Sequence, residues 1–209
     1  MFEAVIFDFG GVITESPFEA FNRLEQRLGI PLNTIRRINA TNPDSNAWAQ
    51  FERSDIDATE FDRKFASEAM ALGISVSGRQ VLSCLHGNVR PSMLEALRRV
   101  SRRFRTGCIT NNAKPEAHDL SGRDAQVVEA FSLFEHVLES SKIGIRKPDP
   151  RIYSLMLEHL KVAPERSVYL DDLGINLKPA RALGMTTIKV ETAGPAITEL
   201  QRHLGIELG

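Results

Sequence analysis

The chain has 209 residues, with 26 basic and 27 acidic side chains and a formal net charge of −1. That length buries a full core, either as one large domain or as one domain carrying a smaller insert. Near-balanced charge without a long run of one sign excludes the footprint of a nucleic-acid binder and fits a small, locally charged ligand.

Cys84 and Cys108 have neither disulfide-framework nor metal-ligand spacing, which points to a reduced, cytoplasmic setting. The N-terminus runs straight into a short apolar segment, without the basic region and longer apolar stretch of a signal peptide. No segment approaches the ~20 apolar residues of a membrane span.

Ala4-Val5-Ile6-Phe7 is an apolar run too short for a helix, as expected of a central parallel strand covered on both faces. From Thr14 to Arg90 only helical patterns occur. Pro17, the Ser16 and Glu19 pair of a capping box, the stripe Phe18, Phe21, Leu24 and Leu28, and Gly29 at the end predict a first helix. Thr59 and Asp62 open a second, with Phe61, Phe65 and Leu72 as its apolar stripe and Gly73 at its end. Pro91 opens a helix through about Arg103. Further β-type runs follow at Thr106 to Thr110, His136 to Glu139, Ser167 to Leu170 and Thr186 to Val190, separated by helical patterns. The prediction is an α/β fold with a doubly wound, mostly parallel, Rossmann-like sheet. Residues 1–14 and 91–209 are assigned to the core and 15–90 to a helical cap.

Three of the predicted strands end in polar clusters, and ligands of open α/β sheets bind at the carboxyl ends of strands. Asp8 follows the first strand, and Asp171-Asp172 follow the apolar run Ser167-Val168-Tyr169-Leu170. Carboxylates brought together repel and raise one another's pKa, and a divalent cation is the simplest relief. Mg²⁺ is the natural candidate, as a hard ion taking oxygen ligands. Thr110-Asn111-Asn112 offers a hydroxyl and two amides suited to phosphate oxygens, although ordinary turn chemistry accounts for them equally well. Lys147 stands at a stiff corner, where Pro148 forces an extended backbone and Asp149-Pro150 cap the next helix.

In this order Asp8, Thr110, Lys147 and Asp171-Asp172 resemble the four motifs of the haloacid dehalogenase superfamily. The stretch from Lys142 to Val190 looks most like the N-terminal phosphatase domain of soluble epoxide hydrolases and its stand-alone bacterial relatives. No Gly-x-Ser-x-Gly elbow occurs, so epoxide hydrolysis is not expected. The resemblance implies a Mg²⁺-dependent phosphomonoester hydrolase, with Asp8 as a nucleophile that forms an aspartyl-phosphate on a small phosphorylated metabolite. It also implies metal ligation by Asp8, the Gly10 carbonyl and Asp172. Thr110, Asn111 and Lys147 would hold phosphate oxygens, with Asp171 and Asn176 in support.

Gly10 departs from the family pattern, in which a second aspartate two residues after the nucleophile protonates the leaving group. General acid–base catalysis is typically worth about 10²–10⁴-fold, so good leaving groups such as anomeric sugar phosphates or acyl phosphates are expected, unless a cap residue or Glu15 replaces the acid. Two alternatives stay open: a hydrolytic 2-haloacid dehalogenase, which needs neither the second aspartate nor Mg²⁺, and a phosphate-binding protein with little turnover. His86, His118, His136, His159 and His203 are scattered without ligand spacing. Cys108 is expected as a small buried hydrophobe, and Trp48 and Phe51 as cap core.

Overall fold

The computed structural model describes residues 1–85, 87–112 and 125–209, so His86 and His118 lie outside the described residues. Its strands are β1 (Ala4–Phe7), β2 (Arg105–Thr110), β3 (His136–Glu139), β4 (Ser167–Asp171) and β5 (Thr186–Lys189). They pair in parallel in the order β3-β2-β1-β4-β5, with Phe7 opposite Cys108 on one side and Leu170 on the other. The chain leaves β1 toward β2 and returns across it to β4, so the carboxyl ends of β1 and β4 meet at a switch point in strand order.

Every residue of β1 is fully buried, and the pleat sends alternate side chains to opposite layers. Val5 and Phe7 join a core with α6 (Pro91–Ser101), α7 (Ala125–Ser132) and α11 (Ala193–Leu204), through Leu97, Ala130 and Leu200 among others. Ala4 and Ile6 join a second with α9 (Pro150–Leu160) and α10 (Gly174–Ala182), through Ile152, Met156 and Ala180. This two-sided burial is why the strand reads as a continuous apolar run. Cys108 is fully buried, as expected.

Between β1 and α6 lie α1 (Pro17–Leu28), α2 (Thr34–Ala40), α3 (Ala47–Glu52), α4 (Ala58–Ala71) and α5 (Gly78–Leu82). They bury a third apolar cluster of their own, built on Phe21, Ile35, Phe51, Phe61 and Phe65 with Trp48 packed against it. The two chain passages joining this helical insertion to the sheet run side by side: Thr14 bridges Val89, Glu15 N–H donates to the Asn88 carbonyl at 2.9 Å, and Arg90 N–H to that of Ile13 at 2.8 Å. A further short helix outside the insertion, α8 (Ser140–Ile143), follows β3 directly.

Local signals were correct in kind but displaced at some ends. Gly29 closes α1 with a left-handed φ of 66°. Helix α4 is capped by Asp57, whose side chain accepts the Glu60 N–H, rather than by Thr59 or Asp62. Leu72 stands exposed beyond the end of α4 instead of extending its stripe. Ser16 makes no capping bond to α1; its hydroxyl donates to Asp172 Oδ2 at 3.3 Å. Among the described residues no helix is long and apolar enough to cross a membrane.

Candidate active site

At the end of β1 the Asp8 N–H extends the sheet to the Leu170 carbonyl at 2.8 Å, and Asp8 Oδ1 then accepts the Phe9 N–H at 2.6 Å. The chain from Phe9 to Ile13 wraps into one wide turn, closed by Thr14 N–H on the Phe9 carbonyl at 3.0 Å. Gly11 lies in that turn at φ 80°, and a Cβ there would meet Asp172 Oδ2. Glycine is therefore needed both for the backbone angle and to admit the aspartate. Gly10 is different: its φ of −70° suits any residue, and a Cβ would meet nothing within 4 Å.

Asp171 ends β4 with no exposed surface and four kinds of donor: Lys147 Nζ at 2.8 Å, Leu173 N–H at 2.8 Å, Asn176 Nδ2 at 3.0 and 3.1 Å, and the Tyr169 hydroxyl. Asn176 is held in turn by α10, whose carbonyl at that residue accepts the Tyr153 hydroxyl at 2.8 Å. Lys147 Nζ also lies 2.7 Å from Asp8 Oδ1, and the lysine is only 1% exposed. The lysine expected at a stiff corner is thus buried between two carboxylates. Asp172, less buried, accepts the Ser16 hydroxyl at 3.3 Å.

Thr110 ends β2 and is buried; its hydroxyl has no hydrogen-bond partner among the described residues. The Asn111 side chain is already engaged, accepting Lys147 N–H at 2.9 Å and donating to the Lys147 carbonyl at 3.0 Å. This two-point grip fixes the lysine backbone, so the Asn111 amide positions Lys147 here rather than facing an open site. Asn112, beside it, donates its N–H to Ser140 Oγ at 3.0 Å and its amide to Glu139 Oε1 at 2.8 Å.

Carboxylate oxygens of Asp8, Asp171 and Asp172 lie within 4.8 Å of one another, yet among the described residues a single ammonium, that of Lys147, pairs with them. Burial, opposed by Lys147 and reinforced by Asp171 and Asp172, drives the Asp8 carboxyl well above its ordinary range. Burial and then Asp171 push the Asp172 carboxyl up to about 6. Burial works to lower the Lys147 ammonium, but Asp171 and Asp8 outweigh it and the net shift is upward, so it stays charged. A surplus of buried negative charge offering only oxygen donors fits a hard divalent cation. Asp171 has its acceptor capacity taken up; Asp8 Oδ2 and Asp172 remain to face an ion.

Three participants escaped the sequence reading. Gly11 was visible only as part of a glycine pair after a strand. Ser16 carried the signature of a cap. Glu52, a cap residue whose carboxylate meets Arg146 and Asn111, carried no local signal.

A parallel α/β sheet with acidic strand ends at its switch point, covered by a helical insertion after the first strand, defines the class of fold. The chain belongs to the haloacid dehalogenase-like hydrolase family, whose model matches residues 2–184. Over 99% of its length it is 34% identical to Acyl-CoA dehydrogenase family member 10 of Mus musculus, and over 98% it is 30% identical to Bifunctional epoxide hydrolase 2 of Sus scrofa. It spans only 20% and 39% of those two proteins. A relative of similar size is the Phosphorylated carbohydrates phosphatase of Thermotoga maritima, 29% identical with 89% of this chain and 83% of that one aligned. Among solved structures, a HAD family enzyme of Bacteroides thetaiotaomicron in its magnesium complex superposes with a TM-score of 0.64 at 21% identity, covering 96% of this chain and 98% of that one.

Proposed function

We propose that this protein is a Mg²⁺-dependent phosphomonoester hydrolase that forms an aspartyl-phosphate on Asp8 and acts on a small phosphorylated metabolite. The observation that carries the reading is Lys147 Nζ set between Asp8 at 2.7 Å and Asp171 at 2.8 Å, with Asp172 adding negative charge that the lysine cannot balance. A dehalogenase has no use for that excess, whereas a dianionic phosphate held with a divalent cation uses all of it. The resemblance to a phosphatase of phosphorylated carbohydrates along most of both chains supports the same reading.

Asp8, Asp172 and the Gly10 carbonyl would hold Mg²⁺, which when bound neutralises charge on the carboxylates and the phosphoryl oxygens. Lys147 restrains Asp8 and presents an ammonium to the phosphoryl group; the Thr110 hydroxyl is free to donate to a second oxygen. Asp171, itself held by Asn176, keeps Lys147 in place. An Asp8 oxygen attacks phosphorus while the bond to the ester oxygen breaks. Water then attacks phosphorus, releasing phosphate and restoring the carboxylate.

No side chain stands at position 10 to protonate the departing oxygen, and Glu15 lies exposed with Oε2 accepting the Asn88 amide at 3.3 Å. Substrates whose leaving oxygen needs no acid, anomeric sugar phosphates or acyl phosphates, are therefore favoured.

The experiment is a panel of sugar phosphates, nucleotides, acyl phosphates and lipid phosphates assayed with Mg²⁺ and with chelator, using Asp8→Asn as blank. Turnover requiring both Mg²⁺ and Asp8 supports the assignment. Chloride release from a 2-haloacid in the presence of chelator would contradict it, as would Mg²⁺-dependent phosphate binding with no turnover of any member.

A further inference from the structure

Glu52, the last residue of α3, is 8% exposed although it is charged and belongs to the inserted helices. Its Oε2 accepts the Arg146 Nε–H at 2.7 Å, lies 2.6 Å from Arg146 Nη2 in an ion pair, and lies 3.4 Å from Asn111 Nδ2. Its Oε1 accepts the Trp48 indole N–H at 2.8 Å, and its backbone carbonyl accepts the Ser140 hydroxyl at 2.6 Å. Arg146 donates a further bond to the Pro43 carbonyl at 2.9 Å. One cap residue thus reaches the end of β2, the start of α8 and the loop before α9. These same segments place Lys147: Arg146 precedes it in the chain, and Asn111 grips its backbone through two hydrogen bonds. The route from Glu52 to the Lys147 ammonium beside Asp8 is unbroken.

We propose that Glu52 is a positioning residue that, through Arg146 and Asn111, ties the seating of the cap to the placement of Lys147, so that a seated cap and a formed phosphate corner are one state. An exposed ion pair contributes little, but a half-buried guanidinium deprived of its carboxylate is left uncompensated, and the loop carrying it relaxes. A displacement of about 1 Å at a catalytic group can cost on the order of a hundredfold in rate. The kinetic part of this inference rests on the phosphatase reading; the structural part does not.

The test uses the full chain and the variants Glu52→Gln, Arg146→Met, Arg146→Lys and the double variant Glu52→Gln/Arg146→Met. Amide hydrogen exchange over residues 139–150 needs no activity. Kinetics with p-nitrophenyl phosphate and Mg²⁺, with inorganic phosphate as competitor, and thermal unfolding complete it. In Glu52→Gln, exchange at the Lys147 segment is expected to accelerate, phosphate inhibition to weaken roughly tenfold, and kcat/KM to fall roughly ten- to a hundredfold. The double variant is expected to be little worse than either single, because the pair acts as a unit. Arg146→Lys keeps the charge but not the fork, and gives the same weakened phosphate inhibition if Glu52→Gln does not fold. Unchanged exchange, KM and phosphate inhibition, with kcat falling only as folded protein is lost, overturns the proposal. If the native protein hydrolyses no phosphate ester, the phosphatase reading fails while the exchange experiment still decides the role of Glu52.

Discussion

A Cβ on Gly11 would lie 2.3 Å from Asp172 Oδ2, so the turn after the first strand and the acidic end of the fourth strand touch through a missing side chain. Gly11→Ala adds that contact at a φ of 80° and is expected to displace Asp172, lowering stability by about 1–3 kcal/mol and weakening Mg²⁺ binding. Gly10→Ala next door has room and an ordinary φ, so its melting temperature stays level or rises slightly. Thermal melts and Mg²⁺ titrations of the two variants distinguish the sites; equal effects would count against this account of the turn.

The room at Gly10 also bears on chemistry. Position 10 has room for a Cβ at an ordinary φ, so Gly10→Asp is expected to be accommodated and to supply an acid two residues after Asp8. For alkyl phosphates with poor leaving groups, kcat is expected to rise by up to about 10²–10⁴-fold, with little change for anomeric or acyl phosphates. Rates across esters of graded leaving-group pKa make the comparison. A flat dependence in the natural protein, unaltered by the substitution, removes the leaving-group argument.

The acidic cluster sets a pH dependence. The Asp172 carboxyl sits at about 6 rather than its ordinary 3.8, so the folded chain holds a proton there that the unfolded chain has released. Stability at this position is therefore lost as pH rises from ~4 to ~6, by up to about 3 kcal/mol, and the shift at Asp8 has the same sign. Melting the metal-free protein against Asp172→Asn across pH 4 to 8 isolates the effect: the variant gains on the natural protein as pH rises. Mg²⁺ at a hundredfold over its dissociation constant should add about 2.7 kcal/mol to the natural protein and much less to the variant. A difference between the two proteins that does not change with pH would refute the linkage.

The Tyr169 hydroxyl donates to Asp171 in a region with no exposed surface. Tyr169→Phe removes a hydrogen bond to a buried carboxylate and is expected to destabilise by about 1.5–3 kcal/mol. Because Asp171 also holds Lys147, kcat should fall in the folded variant. Denaturant melts beside kcat at matched folded fraction separate the two effects, and unchanged values of both would show that Asp171 does not depend on the tyrosine.

The centre of the sheet was legible because β1 and β4 are buried on both faces and read as short apolar runs ending in acidic residues. The cluster of Asp8 with Asp171-Asp172 was legible for the same reason, since a charged group closing such a run needs an external explanation. What the sequence does not carry is which side chain spends its polar atoms on which neighbour. Ser16 has the spacing of a capping box, but its hydroxyl turns to Asp172. Asn111 has the character of a phosphate donor, but its amide is taken by the Lys147 backbone. Glu52 lies far along the chain from Arg146, and only the docked insertion gives it a partner. The division at residues 15–90 agrees with the separate apolar cluster of the inserted helices, and we propose it as the cap boundary on that basis.

The central claim is that Asp8 carries the phosphoryl group. The direct measurement is acid quenching of the protein during turnover of its best substrate with Mg²⁺, followed by peptide mass analysis. One phosphoryl group is expected on the peptide containing Asp8, absent in Asp8→Asn and absent with chelator. Rapid turnover with no phosphorylated peptide under any quench time, or with the phosphoryl group on another residue, would contradict it.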